Sequence, residues 1–179
     1  MKSHEFTIIA SGLDPEAEDF ADRFFEAGCD DATLSFQKGV IILEFAREAV
    51  SFSKAVASAY ADVRHAGASV DRIEPDYLVS LSEIAERSGK SRQAISLYTN
   101  GDRGEGFPAP VARVTSKHPL YDWEEVAGWL VERGALPKEE LVRARVVKEA
   151  NMHLDAAEPA EDNFVKRLEA VEAEPLEPA

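Results

Sequence analysis

The stretch Leu81–Tyr98 reads LSEIAERSGKSRQAISLY. Two short helices fit it, separated by a turn at Gly89. Ser82 is placed to cap the first helix and Ser91 the second, because a hydroxyl before the first apolar turn can accept an orphan backbone N–H. Ile84 and Ala85 face inward, and Ala85 is small where a second helix must cross close by. Gly89 permits the positive φ of a tight turn, and Ile95 packs back on Ala85. This spacing of small residue, glycine and aliphatic residue predicts a helix-turn-helix.

The chemistry follows from how such a motif docks, with the N-terminal half of its second helix against base edges in the major groove. The outward positions there are Ser91, Arg92, Gln93 and Ser96. Arginine bonds guanine in a bidentate fashion and glutamine does the same to adenine, so Arg92 and Gln93 are the expected readers. Lys90, Ser91 and Tyr98 are expected on phosphates, which position a protein without reading sequence. Glu83 and Glu86 fall on the first helix, and no acid lies between Arg87 and Tyr98. A plain helical hairpin would also carry Ala85 and Gly89. Ile95, the Ser-Arg-Gln start and the acid-free second helix favour the DNA reader.

Downstream come Gly106-Phe107-Pro108-Ala109-Pro110, then Leu120-Tyr121-Asp122-Trp123, then Val126-Ala127-Gly128-Trp129-Leu130. With these segments, residues 78–130 resemble the winged helix-turn-helix of AlpA and excisionase-type regulators, within the broader MerR-like group. The resemblance covers about a third of the chain. It implies double-stranded DNA as ligand and a β-hairpin wing over roughly Val111–Tyr121, with Arg113 and Lys117 facing backbone phosphates. Lys90 departs from it, standing in the turn where an apolar residue is usual. The longer GDRGEG connection departs too and adds Arg103 as a further phosphate contact. Phe107, Trp123 and Trp129 are read as core.

Outward from this segment, residues 1–76 read as strand (Glu5–Ala10), helix (from Asp14-Pro15-Glu16 through Phe20, Phe24 and Phe25 to Gly28), strands Ala32–Phe36 and Val40–Phe45 about a Gln37-Lys38-Gly39 turn, helix (Ser51–Ala66) and strand (Ser69–Ile73). Pro after an Asp N-cap opens a helix, and the three phenylalanines are expected in the core. The order β-α-β-β-α-β is the split βαβ pattern of a ferredoxin-like fold. Such a domain can dimerise, sense a small ligand as the similar ACT-type domains do, or dock a protein. The Gly28-Cys29-Asp30-Asp31 turn reads as a capped turn with solvated acids. The fold class predicted for the chain is thus α+β: a ferredoxin-like domain (1–76), a winged helix-turn-helix (77–134), a C-terminal helix (135–153) and an acidic, largely disordered tail (154–179), within which residues 163–171 have the pattern of a short helix.

Charge sharpens the assignment. The net charge is −14, and phosphate repels an acidic chain, so any DNA contact needs a locally basic face. Residues 1–77 carry 7 Lys+Arg against 15 Asp+Glu, residues 78–135 carry 7 against 8, and residues 136–179 carry 6 against 11. The near-neutral segment is the one with the helix-turn-helix. Cys29 has no disulfide partner, and the four histidines form no metal-ligand spacing. There is no phosphate-binding glycine loop or nucleophile elbow, so neither an enzyme nor a cofactor or metal site is expected. No apolar run reaches the roughly 18 residues a membrane span needs, and a cytoplasmic protein follows by elimination. The expectation is a DNA-binding regulator acting as a homodimer. The alternative is an antitoxin-like interaction module whose N-terminal domain or acidic tail binds a partner protein.

Overall fold

The computed structural model describes residues 1–156 and 161–175. Among them the chain is mixed α+β, with a four-stranded antiparallel sheet, a two-stranded sheet and seven helices. It divides into two compact units, one formed by residues 1–75 and 146–174, the other centred on residues 76–145.

The first unit begins with β1 (Lys2–Ser11), α1 (Phe20–Glu26), β2 (Ala32–Gln37), β3 (Val40–Ala49), α2 (Phe52–His65) and β4 (Ser69–Glu74). The sheet order is β2-β3-β1-β4, so β3 lies between the two strands that α1 connects. Lys38 (φ 53°) and Gly39 (φ 82°) form the two-residue turn between β2 and β3, whose paired positive φ values match the twist of a hairpin. Alternation places Phe6, Ile8, Ile41, Leu43 and Phe45 on one buried face, against Val56, Tyr60 and Val63 of α2. The helix α1 starts at Phe20, six residues after the expected Asp14 cap. Asp14 instead closes a turn, accepting the Glu16 amide at 2.9 Å, because Pro15 and Ala17 offer a first helical turn little to bury. Phe24 is buried and Phe20 meets it edge-on at 5.5 Å. Phe25 lies 100° further round the helix and is 67% exposed rather than core.

Two later segments complete this unit. From Val146 onward, α6 (Lys138–Leu154) contributes Val146, Val147 and Ala150 to its core, and α7 (Glu161–Ala173) contributes Phe164 and Leu168, each no more than 1% exposed. The expectation for residues 154–179 was a largely disordered tail with the pattern of a short helix at residues 163–171. The helix there is longer, Glu161–Ala173, because Phe164 and Leu168 share one face at i, i+4 spacing and Tyr60 and His153 receive the Phe164 ring at 4.2 and 5.0 Å. The remaining tail residues, 157–160 and 176–179, lie outside the described ones. The Glu172 carboxylate accepts hydrogen bonds from the Ser53 amide and hydroxyl at the start of α2. Burial raises its pKa, but these bonds outweigh that and hold it below the usual value.

Two buried polar arrangements hold the unit in register. Arg47 on β3 donates to both Asp31 oxygens at 2.9 Å, to Asp62 at 2.6 Å, to the Gly28 carbonyl at 2.7 Å and to Ser58 at 3.2 Å. All five guanidinium donors thereby find acceptors, and Asp31 is an ion-pair partner rather than the solvated acid expected. Asn151 on α6 accepts from the Ile73 amide at 2.7 Å and donates to the Ile73 carbonyl at 2.8 Å, so one carboxamide stands where a neighbouring strand would on β4.

The second unit holds β5 (Leu78–Val79), α3 (Leu81–Ser88), α4 (Arg92–Thr99), β6 (Tyr121–Asp122), α5 (Trp123–Glu132) and the first residues of α6. Strand β5 pairs with β6. Ile84, Ala85, Ile95, Val126, Trp129, Leu130 and Leu141 form its core, with the Trp123 and Trp129 rings buried as the sequence suggested.

Candidate nucleic-acid interface

The helical pair α3–α4 is built by local signals. Its first cap is Ser80, two residues before the expected Ser82. Ser80 accepts the Glu83 amide at 3.3 Å while Glu83 accepts the Ser80 amide at 2.7 Å. This reciprocal box was legible as Ser-x-x-Glu ahead of an apolar run. Burial raises the Glu83 pKa, but hydrogen bonds to its carboxylate from the Ser80 amide and side chain, with the positive charge of Arg87, bring it below its ordinary value. Gly89 ends α3 at φ 65°, ψ 19°, a left-handed conformation that a side chain resists. Ser91 then caps α4, accepting the Ala94 amide at 3.1 Å. Ile95 is fully buried, and Ala85 belongs to the same core cluster.

The expected contact residues do not form one cluster. Ser91, Arg92 and Gln93 share the first turn of α4 and are exposed, and Ser96, one turn on, is half-buried. Lys90 lies in the turn, half-buried, with its amide bonded to the Ala85 carbonyl at 3.0 Å. Tyr98 differs from expectation. Its ring packs between Phe107 (6.2 Å, stacked) and Trp129 (4.9 Å, edge-on), so it serves the core of the unit. Arg103 places its guanidinium over that ring at 5.8 Å. The connection carrying Arg103 is pinned at the Glu105 carbonyl, which accepts from Trp129 Nε1 at 3.0 Å and from Arg133 at 2.8 Å. Gly104 is needed here, since a Cβ would sit 3.1 Å from the Trp129 ring at φ 78°.

Arg113 and Lys117 are exposed on a separate loop. A hairpin ladder was expected over Val111–Tyr121. The loop is closed by a single bridge, Ala112 to Leu120, with amide–carbonyl bonds of 3.2 and 2.9 Å. Pro108, Pro110 and Pro119 limit a ladder because proline lacks the amide donor, and Arg113 takes a positive φ of 51°. The residues that sequence reasoning missed are Arg87 and Arg133. Arg87 donates to the Asp76 carbonyl at 2.7 Å and covers the Trp123 ring, and Arg133 lies 3.8 Å over Trp129. Both cations are thus engaged with aromatic faces, as Arg103 is with Tyr98, which leaves Lys90, Arg92, Arg113 and Lys117 as the Lys and Arg side chains between Asp76 and Glu132 outside such contacts.

Among the described residues no group of three His, Cys, Asp or Glu is placed to hold a metal ion, and no helix is long and apolar enough to cross a membrane. Cys29 is buried, and burial with the negative charge of Asp62 pushes its thiol up to about 12, which leaves it protonated and a poor nucleophile. Comparison with protein-family models, with curated proteins and with solved structures finds no match to this chain.

Proposed function

We propose that the protein binds double-stranded DNA sequence-specifically, as a regulator whose second unit is a winged helix-turn-helix and whose first is a ferredoxin-like domain serving dimerisation. The observation that carries the reading is the first turn of α4. A Ser91-capped helix follows a left-handed glycine turn, is anchored through Ile95, and presents Arg92 and Gln93 to solvent with no acid from Arg87 to Tyr98. A helix N-terminus of this kind suits major-groove entry, since its backbone donors and Ser91 favour phosphate while arginine and glutamine read bases. The loop at Arg113 and Lys117 plays the part of the wing, and Lys90 and Arg103 contact phosphate. The β-α-β-β-α-β order with sheet order β2-β3-β1-β4 supports the ferredoxin-like assignment. The partner-protein alternative has less behind it, because Phe164 and Leu168 of the acidic segment are buried within the chain's own first unit.

Titrating the full-length protein into labelled mixed-sequence duplex by fluorescence anisotropy, at several salt concentrations, tests the class of ligand. Affinity should fall linearly on a log–log plot with a slope of about −0.9 per phosphate contact. Absence of salt-dependent binding would remove the proposal.

A further inference from the structure

The two edges of the four-stranded sheet differ. On β4 the Ile73 amide and carbonyl are occupied by Asn151, and the strand carries Asp71, Arg72 and Glu74. Charged residues and a covering group are the usual protections of a sheet edge. The opposite edge, β2, has the sequence ATLSFQ, without a charge, in a chain of net charge −14.

The register shows what β2 presents. Gln37 faces Val40 across the two-residue turn, and Ala46 donates to the Asp31 carbonyl at 3.1 Å. Hydrogen-bonded pairs alternate along an antiparallel ladder, so Thr33 and Ser35 bond to β3, while Ala32, Leu34 and Phe36 turn their amides and carbonyls outward. The Ala32 amide is taken by the Cys29 carbonyl at 3.1 Å. No hydrogen bond to the Leu34 or Phe36 backbone from outside the ladder is found among the described residues. The side chains of Ala32, Leu34 and Phe36 share the helix-covered face, and Phe36 is 47% exposed there. Ala32 and Leu34 of the same face line a cavity of about 270 Å³ together with Phe24 and Phe25, with Asp22 and Asp30 as polar lining.

We propose that β2 is the dimer interface, pairing antiparallel with β2 of a second copy about a two-fold axis at Leu34, so that each Phe36 ring enters the other copy's cavity. The register follows from the free groups. With Leu34 opposite Leu34, the two leucines exchange both of their backbone bonds, and each Phe36 amide meets an Ala32 carbonyl. The Ala32 amide, already bonded, is not required. Ala32 is also the small residue that lies opposite Phe36 and leaves the cavity mouth open to it. A second copy is the occupant because the surface is self-complementary: one strand carries both the protruding ring and, four residues earlier, the wall of the cavity that receives it. The paired strands themselves set no charge against like charge, and the acids of the region, Asp22 and Asp30, line the cavity rather than the strand. Such an interface is isologous and closes at two copies, by the same strand addition that binds extended peptides. It deepens the dimer invoked in the proposed function, but is carried by the first unit alone.

Sedimentation equilibrium of the full-length chain tests it without DNA. The wild type should show the dimer mass and Phe36→Lys the monomer mass, with an unchanged circular dichroism spectrum since Phe36 is half-exposed in the single chain. A monomeric wild type, or a Phe36→Lys variant that remains dimeric, overturns the proposal. If Phe36→Lys fails to fold, the Thr33→Cys/Ser35→Cys double variant decides. These positions face each other across the two-fold as a non-hydrogen-bonded pair with Cα atoms about 4.5 Å apart, within disulfide reach. Mild oxidation should give a covalent dimer, with wild type bearing only buried Cys29 as the uncrosslinked control. Failure to crosslink contradicts the register. A dimer that selects no DNA sequence would overturn only the DNA reading, and a monomer that selects one would overturn only this interface.

Discussion

The two units treat their charged residues in opposite ways. In the first, Arg47 is 7% exposed and every donor is matched, Glu172 caps α2, and Asn151 completes the backbone of β4. In the second, Arg87 and Arg133 lie on tryptophan faces, while Arg92 and Gln93 project from a capped helix with nothing beneath them to satisfy. Polar groups in the first unit complete a fold, and those on α4 are left available to a ligand. The comparison teaches where to look for function in an acidic chain: at the segment where charge is neither paired nor buried.

The largest expected effects lie in the first unit. Phe164→Ala should cost about 3–5 kcal/mol by chemical denaturation, as should Arg47→Met, which leaves Asp31 and Asp62 facing each other without their cation. Deletion of residues 156–179 should likewise lower stability, since it strips Phe164 and Leu168 from the core. A deletion that left the melting transition unchanged would return these residues to the status of a solvated tail. Next in size, Arg92→Ala and Gln93→Ala should each cost about 1–3 kcal/mol at the preferred DNA site while leaving the denaturation midpoint in place. A stability loss there would erase the contrast between the units. Smaller still, Ser91→Ala should cost about 1 kcal/mol of stability through the lost cap, and Lys90→Ala or Arg113→Ala should weaken all DNA sequences alike and flatten the salt dependence.

Acid should act on the first unit through two groups. His153 is buried against Phe164, and burial, with the positive charge of Arg167 opposed by Glu149, holds its pKa below the ordinary 6.5. The unfolded chain therefore binds the proton more readily, and stability falls as pH drops through about 6.5 until the folded value is passed. Glu172 acts in a lower window. Its pKa is held below 4.5, so its contribution is present above that value and is lost as pH falls through the folded one. His153→Leu should flatten the upper limb of the pH–stability curve and leave the lower limb in place. An unchanged upper limb would assign it to another group.

Much of this architecture was legible in the sequence because periodicity and caps are local. The order of strands and helices in residues 1–74, the Gly89 turn, the Ser91 cap and the burial of Ile84, Ala85 and Ile95 all follow from short-range pattern in the chain. What was hidden depends on distant partners. Nothing near Arg47 announces Asp62, and Asn151 is a lone amide on an apolar face until β4 is known to be an edge. Phe164 sits in an acidic stretch whose composition suggests disorder, and only the place vacant beside Tyr60 makes it core. Among the candidate site residues, the exposure of Arg92 and Gln93 at the start of α4 was readable from helix geometry. The packing of the Tyr98 ring was not readable there, because the Phe107 and Trp129 rings that meet it come from later in the chain.

The central claim is that α4 reads DNA, and selection from a random duplex library tests it most directly, with wild type and the Arg92→Ala/Gln93→Ala double variant run in parallel. The account predicts an enriched motif for the wild type, with paired half-sites if the dimer binds, and relaxed base choice within each half-site for the variant. Absence of enrichment by the wild type, or the same motif from both proteins, would contradict it.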